Sequence, residues 1–164
     1  MVAIGMFEGE RVELLYGRIL RMSPRGPGHD GTIQRLTHLL VDALGKVAAV
    51  RVQSAFAAND GSEPEPDIAI VPPGDYFEAH PSTAWLIIEV AASSLDVDRV
   101  LKAKLYAECG VPEYWVVNLV DNIIEARTEI VHGTYARVTP YRKGNAIRLV
   151  QFPQVEIQAS NVLR

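Results

Sequence analysis

The stretch TAWLIIEVAAS (83–93) constrains the fold of this chain more than any other. From Trp85 to Ala92 every residue is apolar except Glu89. An apolar run this short reads as a strand covered on both faces, so the chain must place structure above and below it. It must also bring something to Glu89, because an ionised carboxylate stripped of water is strongly disfavoured unless a counter-charge meets it.

The rest of the chain supplies the covering elements. VELLYGRILRM (12–22) reads as a strand pair turning at Gly17, followed by the breaker-rich SPRGPG. From His29 the residues Ile33, Leu36, Leu40, Leu44 and Val47 recur at spacings of three and four, a helical stripe with Asp30 as its cap. AVRVQSAF (49–56) and DIAIV (67–71) read as strands on either side of the loop NDGSEPEP. SSLDVDRVLKAKLYAECGVP (93–112) is a second helix, capped by Ser94 or Asp96 and ended at Gly110 with Pro112 beyond. EYWVVNL and NIIEARTE (113–119 and 122–129) suggest a hairpin turning at Asp121, and TYARVTPY with AIRLV another at Gly144-Asn145. This order predicts an α/β (α+β) fold, a mixed central sheet with two main helices and added β-hairpins. No repeat or linker interrupts it, so residues 1–164 are expected to form a single domain.

Asp67 opens one core strand and Glu89 lies inside the next. If the two strands are neighbours, both carboxylates reach one point, and two carboxylates that close repel unless a cation sits between them. A hard cation such as Mg²⁺ takes one or two carboxylates with other oxygens, and the Val90 carbonyl is a natural third ligand. Period-two alternation sets Ile87, Glu89 and Ala91 on one face. A basic partner for Glu89 must then come from the following helix, which carries Lys102 and Lys104. The net charge of −4 argues against a general nucleic-acid coat but permits an enzyme whose acids hold a metal. A lone cysteine, Cys109, fits a reducing compartment; an N-terminus without a basic-then-apolar leader and the lack of a long apolar run point to a cytoplasmic protein with no membrane partner.

PEPDIAIV and WLIIEVAASSLDVDRVLKAKLYAECGVPEYWVVNL, with VELLYGRILRMSP, His29 and RVQSAF upstream, together resemble the Uma-type family of restriction-endonuclease-like proteins, in the PD-(D/E)xK nuclease superfamily. The resemblance implies an Mg²⁺-dependent endonuclease, with Mn²⁺ as a substitute, acting on nucleic acid, DNA before RNA, as a homodimer. It matches Asp67 and Glu89 to the motif acids that hold metal with the Val90 carbonyl. The superfamily's usual lysine slot holds Ala91, and Lys102, borrowed from the helix, is matched in its place to position or deprotonate the attacking water. Glu13 matches an N-terminal acid of the catalytic set. His29 and Gln53 match substrate-side positions. Tyr16 stands where many relatives carry aspartate.

Each residue also has an ordinary reading. Asp67 can end a loop, and Lys102 can pair with Asp98 one helical turn away. His29 can be a turn residue, and Tyr114 and Trp115 can be core or a subunit contact. Arg11, Arg18, Arg21, Arg25 and Arg35 crowd the first quarter as solvated surface or as phosphate contacts. Two other functions compete with a nuclease: an inactive nuclease-fold binding or assembly module, and a hydrolase of a small phosphate ester.

Overall fold

The computed structural model describes residues 10–164; the reading of a leaderless N-terminus rests partly on residues 1–9, which lie outside the described residues. Strands β1 (Val12–Leu15) and β2 (Arg18–Arg21) form the expected hairpin. Its two-residue turn, Tyr16-Gly17, has positive φ at both positions, as a primed hairpin turn requires. Helix α1 (Pro27–Leu44) starts before His29: Gly26 is its N-cap and Pro27 occupies the first turn, where its missing N–H costs nothing. Asp30 is therefore not the cap. It lies within the first turn, where its charge meets the positive end of the helix dipole. Ile33, Leu36, Leu40 and Leu44 are buried as the stripe predicts, but the helix stops at Gly45 and Val47 is 57% exposed.

Strand β3 (Ala49–Val52) is shorter than AVRVQSAF suggested, because Gln53 turns the chain with φ 47°. Then follow β4 (Ile68–Val71), β5 (Leu86–Ala91), a π-helical segment (Val97–Lys102) running into α2 (Ala103–Glu108), β6 (Glu113–Asn118), β7 (Ile123–Val131), β8 (Thr134–Tyr141), β9 (Ala146–Arg148) and β10 (Glu156–Gln158). Asp96 makes no capping bond to the second helix. Ser94 sits ahead of it, but its hydroxyl donates to the Asp98 carboxylate rather than accepting a backbone N–H. Gly110 ends the helix in the left-handed conformation expected of it.

The central sheet runs β3-β4-β5-β6-β7-β8, antiparallel except for the β5–β6 pair that the second helix bridges. Alternation in β5 divides the core in two. Leu86, Ile88 and Val90 pack with α1, while Ile87 and Ala91 pack with Ala103 and Tyr106 of the second helix. Tyr114 and Trp115 are wholly buried, one on each side, so both are core residues. The C-terminal strands pair differently from the expected TYARVTPY–AIRLV hairpin. TYARVTPY pairs back onto β7 through His132-Gly133, both at positive φ, and AIR pairs instead with Glu156–Gln158. Among the described residues no helix is long and apolar enough to cross a membrane.

Candidate active site

Strand β4 runs antiparallel to β5 with Ile68 opposite Ile88, so one further step sets Asp67 across from Glu89. Both odd-numbered positions share the face of Ala69 and Ile87, the face covered by the second helix. That helix answers the question Glu89 raises. Lys102 Nζ donates to Glu89 Oε1 at 3.0 Å, and the Tyr106 hydroxyl donates to the same oxygen at 2.9 Å. Nζ also lies 3.0 Å from Glu13 Oε2 and 3.8 Å from Asp98 Oδ1. The contact to Glu13 Oε2 is an ion pair without a directed hydrogen bond, and that buried oxygen has no donor among the described residues. Glu13 reaches the cluster because alternation in β1 turns it inward together with Leu15. The π-helical turn widens the helix where it carries Asp98 and Lys102, a distortion that recurs at functional sites.

Asp67 is held from two sides. Its Oδ2 accepts the Val90 N–H at 2.9 Å and lies 3.1 Å from His29 Nε2, while His29 Nδ1 lies 3.1 Å from Asp30 Oδ1. Both ring nitrogens face acceptors only, which suits the doubly protonated imidazolium. Burial opposes that charge, but Asp67 and Asp30 outweigh it and raise the pKa of His29. A residue's N–H and C=O leave a strand at the same edge, so the Val90 carbonyl emerges on the Asp67 side, beyond the last β4–β5 pair.

The cluster is unbalanced. Glu13, Asp67, Glu89 and Asp98 are 8%, 5%, 4% and 2% exposed, and Lys102 is buried among them. Burial pushes the Glu89 carboxyl well above the usual range; Asp98, Asp67 and Glu13 push the same way and Lys102 opposes them. Asp98 is raised for the same first reason. Burial would lower Lys102, but Glu89, Glu13 and Asp98 override it and its pKa rises, so it stays an ammonium. Four carboxylates thus gather around one ammonium and one imidazole, a cluster richer in acids than in bases.

The donor set fits a divalent cation. The hydrogen bonds to Glu89 fall on Oε1 and those to Asp67 on Oδ2, which leaves Oε2, Oδ1 and the Val90 carbonyl as oxygen ligands for a hard cation. Among the described residues no group of three or more His, Cys, Asp and Glu side chains forms a metal cage. Two carboxylates and a carbonyl would suffice only for an open site, of the kind in which Mg²⁺ keeps waters and substrate phosphate as further ligands. Glu13, His29, Asp67, Glu89, Val90 and Lys102 all line one cavity of about 230 Å³.

Not every expected residue converges. Gln53 donates its backbone N–H to the Asp67 carbonyl at 3.0 Å, but it lines a separate depression beside Gln34 and His38. The left-handed turn that ends β3 carries it away from the cavity. Tyr16 bonds Glu108 at 2.6 Å at the hairpin turn, and Lys104 is an exposed partner of the same acid. Two members of the cluster were not singled out from the sequence as site residues. Asp98, expected as an ordinary helical partner of Lys102, is buried with it, and the Tyr106 hydroxyl reaches Glu89. Their spacing from Lys102, four residues on either side, was the available signal.

A family model described as "Uma2: Putative restriction endonuclease" matches residues 3–160. The chain therefore belongs to that family. A solved structure titled as "a putative nuclease belonging to DUF820", from Anabaena variabilis, superposes with a TM-score of 0.76 over 93% of this chain and 89% of that one. At 11% identity the likeness speaks for the shared fold. No curated protein matches.

Proposed function

We propose that this member of the Uma2 family is a metal-dependent endonuclease that hydrolyses phosphodiester bonds in DNA, with residues 1–164 acting as one nuclease-like domain. The observation that carries the reading is the gathering of four buried carboxylates, Glu13, Asp67, Glu89 and Asp98, with Lys102 and His29 at one cavity. Asp67, Glu89 and the Val90 carbonyl would hold Mg²⁺, with Mn²⁺ as a substitute. When bound, such an ion supplies the Lewis acidity that activates water and offsets charge gathering on the phosphate.

The protein's own groups do the rest. The raised pKa of Lys102 supports the role of a fixed positive charge that orients water and favours the transition state, rather than that of a base. His29 holds Asp67 through Oδ2 and leaves Oδ1 for a ligand. Glu13 lies against Lys102 and helps to fix the ammonium in the cavity. Cutting both strands of a duplex would need a second copy of the site, which a homodimer supplies. Ala91, in the superfamily's usual lysine slot, favours a second reading, a binding or assembly module without catalysis.

Incubation of the purified protein with plasmid and Mg²⁺ or Mn²⁺ separates the two. Nicking that disappears in Asp67→Ala is the expected result. Calorimetric metal binding without cleavage of DNA or RNA would overturn the endonuclease reading.

A further inference from the structure

We infer that Arg11 and Arg25 form a clamp for a substrate phosphate beside the hydrolytic centre, and that Glu65 occupies this clamp in the free protein. The inference rests on the reading of the site as one for phosphodiesters. Both guanidinium groups reach a single oxygen: Arg11 Nη2 lies 3.2 Å and Arg25 Nη2 3.3 Å from Glu65 Oε1. Arg11 and Arg25 line the same cavity as Asp67, Glu89 and Lys102. Each of the three is tied through the backbone to the cluster. Arg11 precedes Glu13 by two residues, Glu65 precedes Asp67 by two, and Arg25 precedes His29 by four.

The geometry is a poor one for a structural salt bridge. Arginine and carboxylate at their best form two parallel bonds of about 2.7–2.9 Å. Here two arginines share one oxygen through single, longer contacts. A phosphate diester presents two anionic oxygens, so each fork could take one at full strength. Arg11 and Arg25 share the cavity wall with Glu13, Asp67 and Lys102, which sets the clamp beside the hydrolytic centre rather than on a remote surface. An overall charge of −4 is compatible with such a local positive site, since the field that steers a strand is set by the groups at the groove.

The test uses fluorescent oligonucleotides, single-stranded and duplex, bound with Ca²⁺ in place of Mg²⁺, and inorganic pyrophosphate as a second probe read by thermal shift. The Arg11→Ala/Arg25→Ala double variant is expected to bind about tenfold more weakly and to lower the slope of log K against log salt by about one. KM should rise while kcat at saturation stays within about threefold. Glu65→Gln should tighten binding several-fold by removing the competitor, and pyrophosphate should stabilise the wild type but not the double variant. Should alanine disturb the fold, Arg11→Gln and Arg25→Gln replace it, and Glu65→Gln still reads in the opposite direction. An unchanged salt slope and thermal shift in the variants, or weaker binding by Glu65→Gln, would overturn the clamp. A protein that cuts no nucleic acid yet loses its pyrophosphate response in the double variant would sink the endonuclease reading alone, and the clamp would stand for a smaller phosphate ester.

Discussion

Two buried carboxylates on the same sheet have opposite fates. Glu89 in β5 shares one ammonium with Glu13 and Asp98, and its pKa is raised well above the ordinary value. Glu125 in β7 lies between two guanidinium groups: Arg99 Nε meets its oxygens at 3.0 and 3.2 Å with Nη2 closing on Oε1, and Arg127 Nη2 donates to Oε2 at 3.0 Å. Burial pushes Glu125 up as well, but the two arginines overcome it and its pKa falls. One π-helical segment supplies a cation to each cluster, Lys102 to the first and Arg99 to the second. Burial does not distinguish the two clusters, but the sign of the excess charge does. Beside Glu125 a buried guanidinium nitrogen, Arg127 Nη1, is left without a partner, whereas beside Glu89 three carboxylates divide a single ammonium. A cluster short of cations has room for one more, whereas a cluster whose acid is fully met by cations holds the fold together.

The sharpest way to break that comparison is to neutralise each acid in turn. Glu89→Gln is expected to lower plasmid nicking by at least about 100-fold while leaving stability equal or higher, since it relieves excess buried charge. Glu125→Gln should keep the activity and cost about 1–3 kcal/mol in urea unfolding, less than a fully buried pair because Arg99 is one-third exposed. If Glu89→Gln stayed active and melted lower, the assignments would have to be exchanged. Next in size is Lys102→Ala, for which about a 100-fold loss of rate is expected with Mg²⁺ binding retained by calorimetry. The smaller metal effect is a rise in Tm of a few degrees on adding Mg²⁺. The rise should survive Glu125→Gln and vanish in Asp67→Ala.

What could be read from the sequence follows the same division. The Asp67–Glu89 pair was legible because short apolar strands interrupted by acids have few explanations, and antiparallel neighbours then set the register. Lys102 over Lys104 was not: both have acids one helical turn away, and only the family resemblance preferred the first. The buried position of Asp98 depends on a π-helical turn, which no apolar periodicity announces. The cluster around Glu125 is half legible: Glu125 and Arg127 share a strand face in NIIEARTE, but Arg99 comes from a helix that nothing local links to them. In the C-terminal third Gly144-Asn145 carries the stronger turn signal, but strand pairing there is decided by how long β7 and β8 can extend, and His132-Gly133 makes their turn.

The finest distinction between the clusters lies in the pH dependence of stability, measured without metal. Glu125 has a folded pKa below its ordinary 4.5, so its stabilising contribution is present above about 4.5 and is lost as pH falls through the lower folded value. Glu89 has the opposite sign. Its folded pKa lies above 4.5, so the folded state holds the extra proton and the associated stability is full below about 4.5 and is lost as pH rises through the raised value. The stability gap between wild type and Glu125→Gln should therefore narrow on acidification, while that between Glu89→Gln and wild type should widen as the medium turns alkaline. Mg²⁺ should flatten the second curve and not the first, because an ion bound by Glu89 favours its charged form. Parallel curves for the two variants, or a metal effect on both, would mean that the two carboxylates share one environment and that the charge excess around Glu89 is absent in solution.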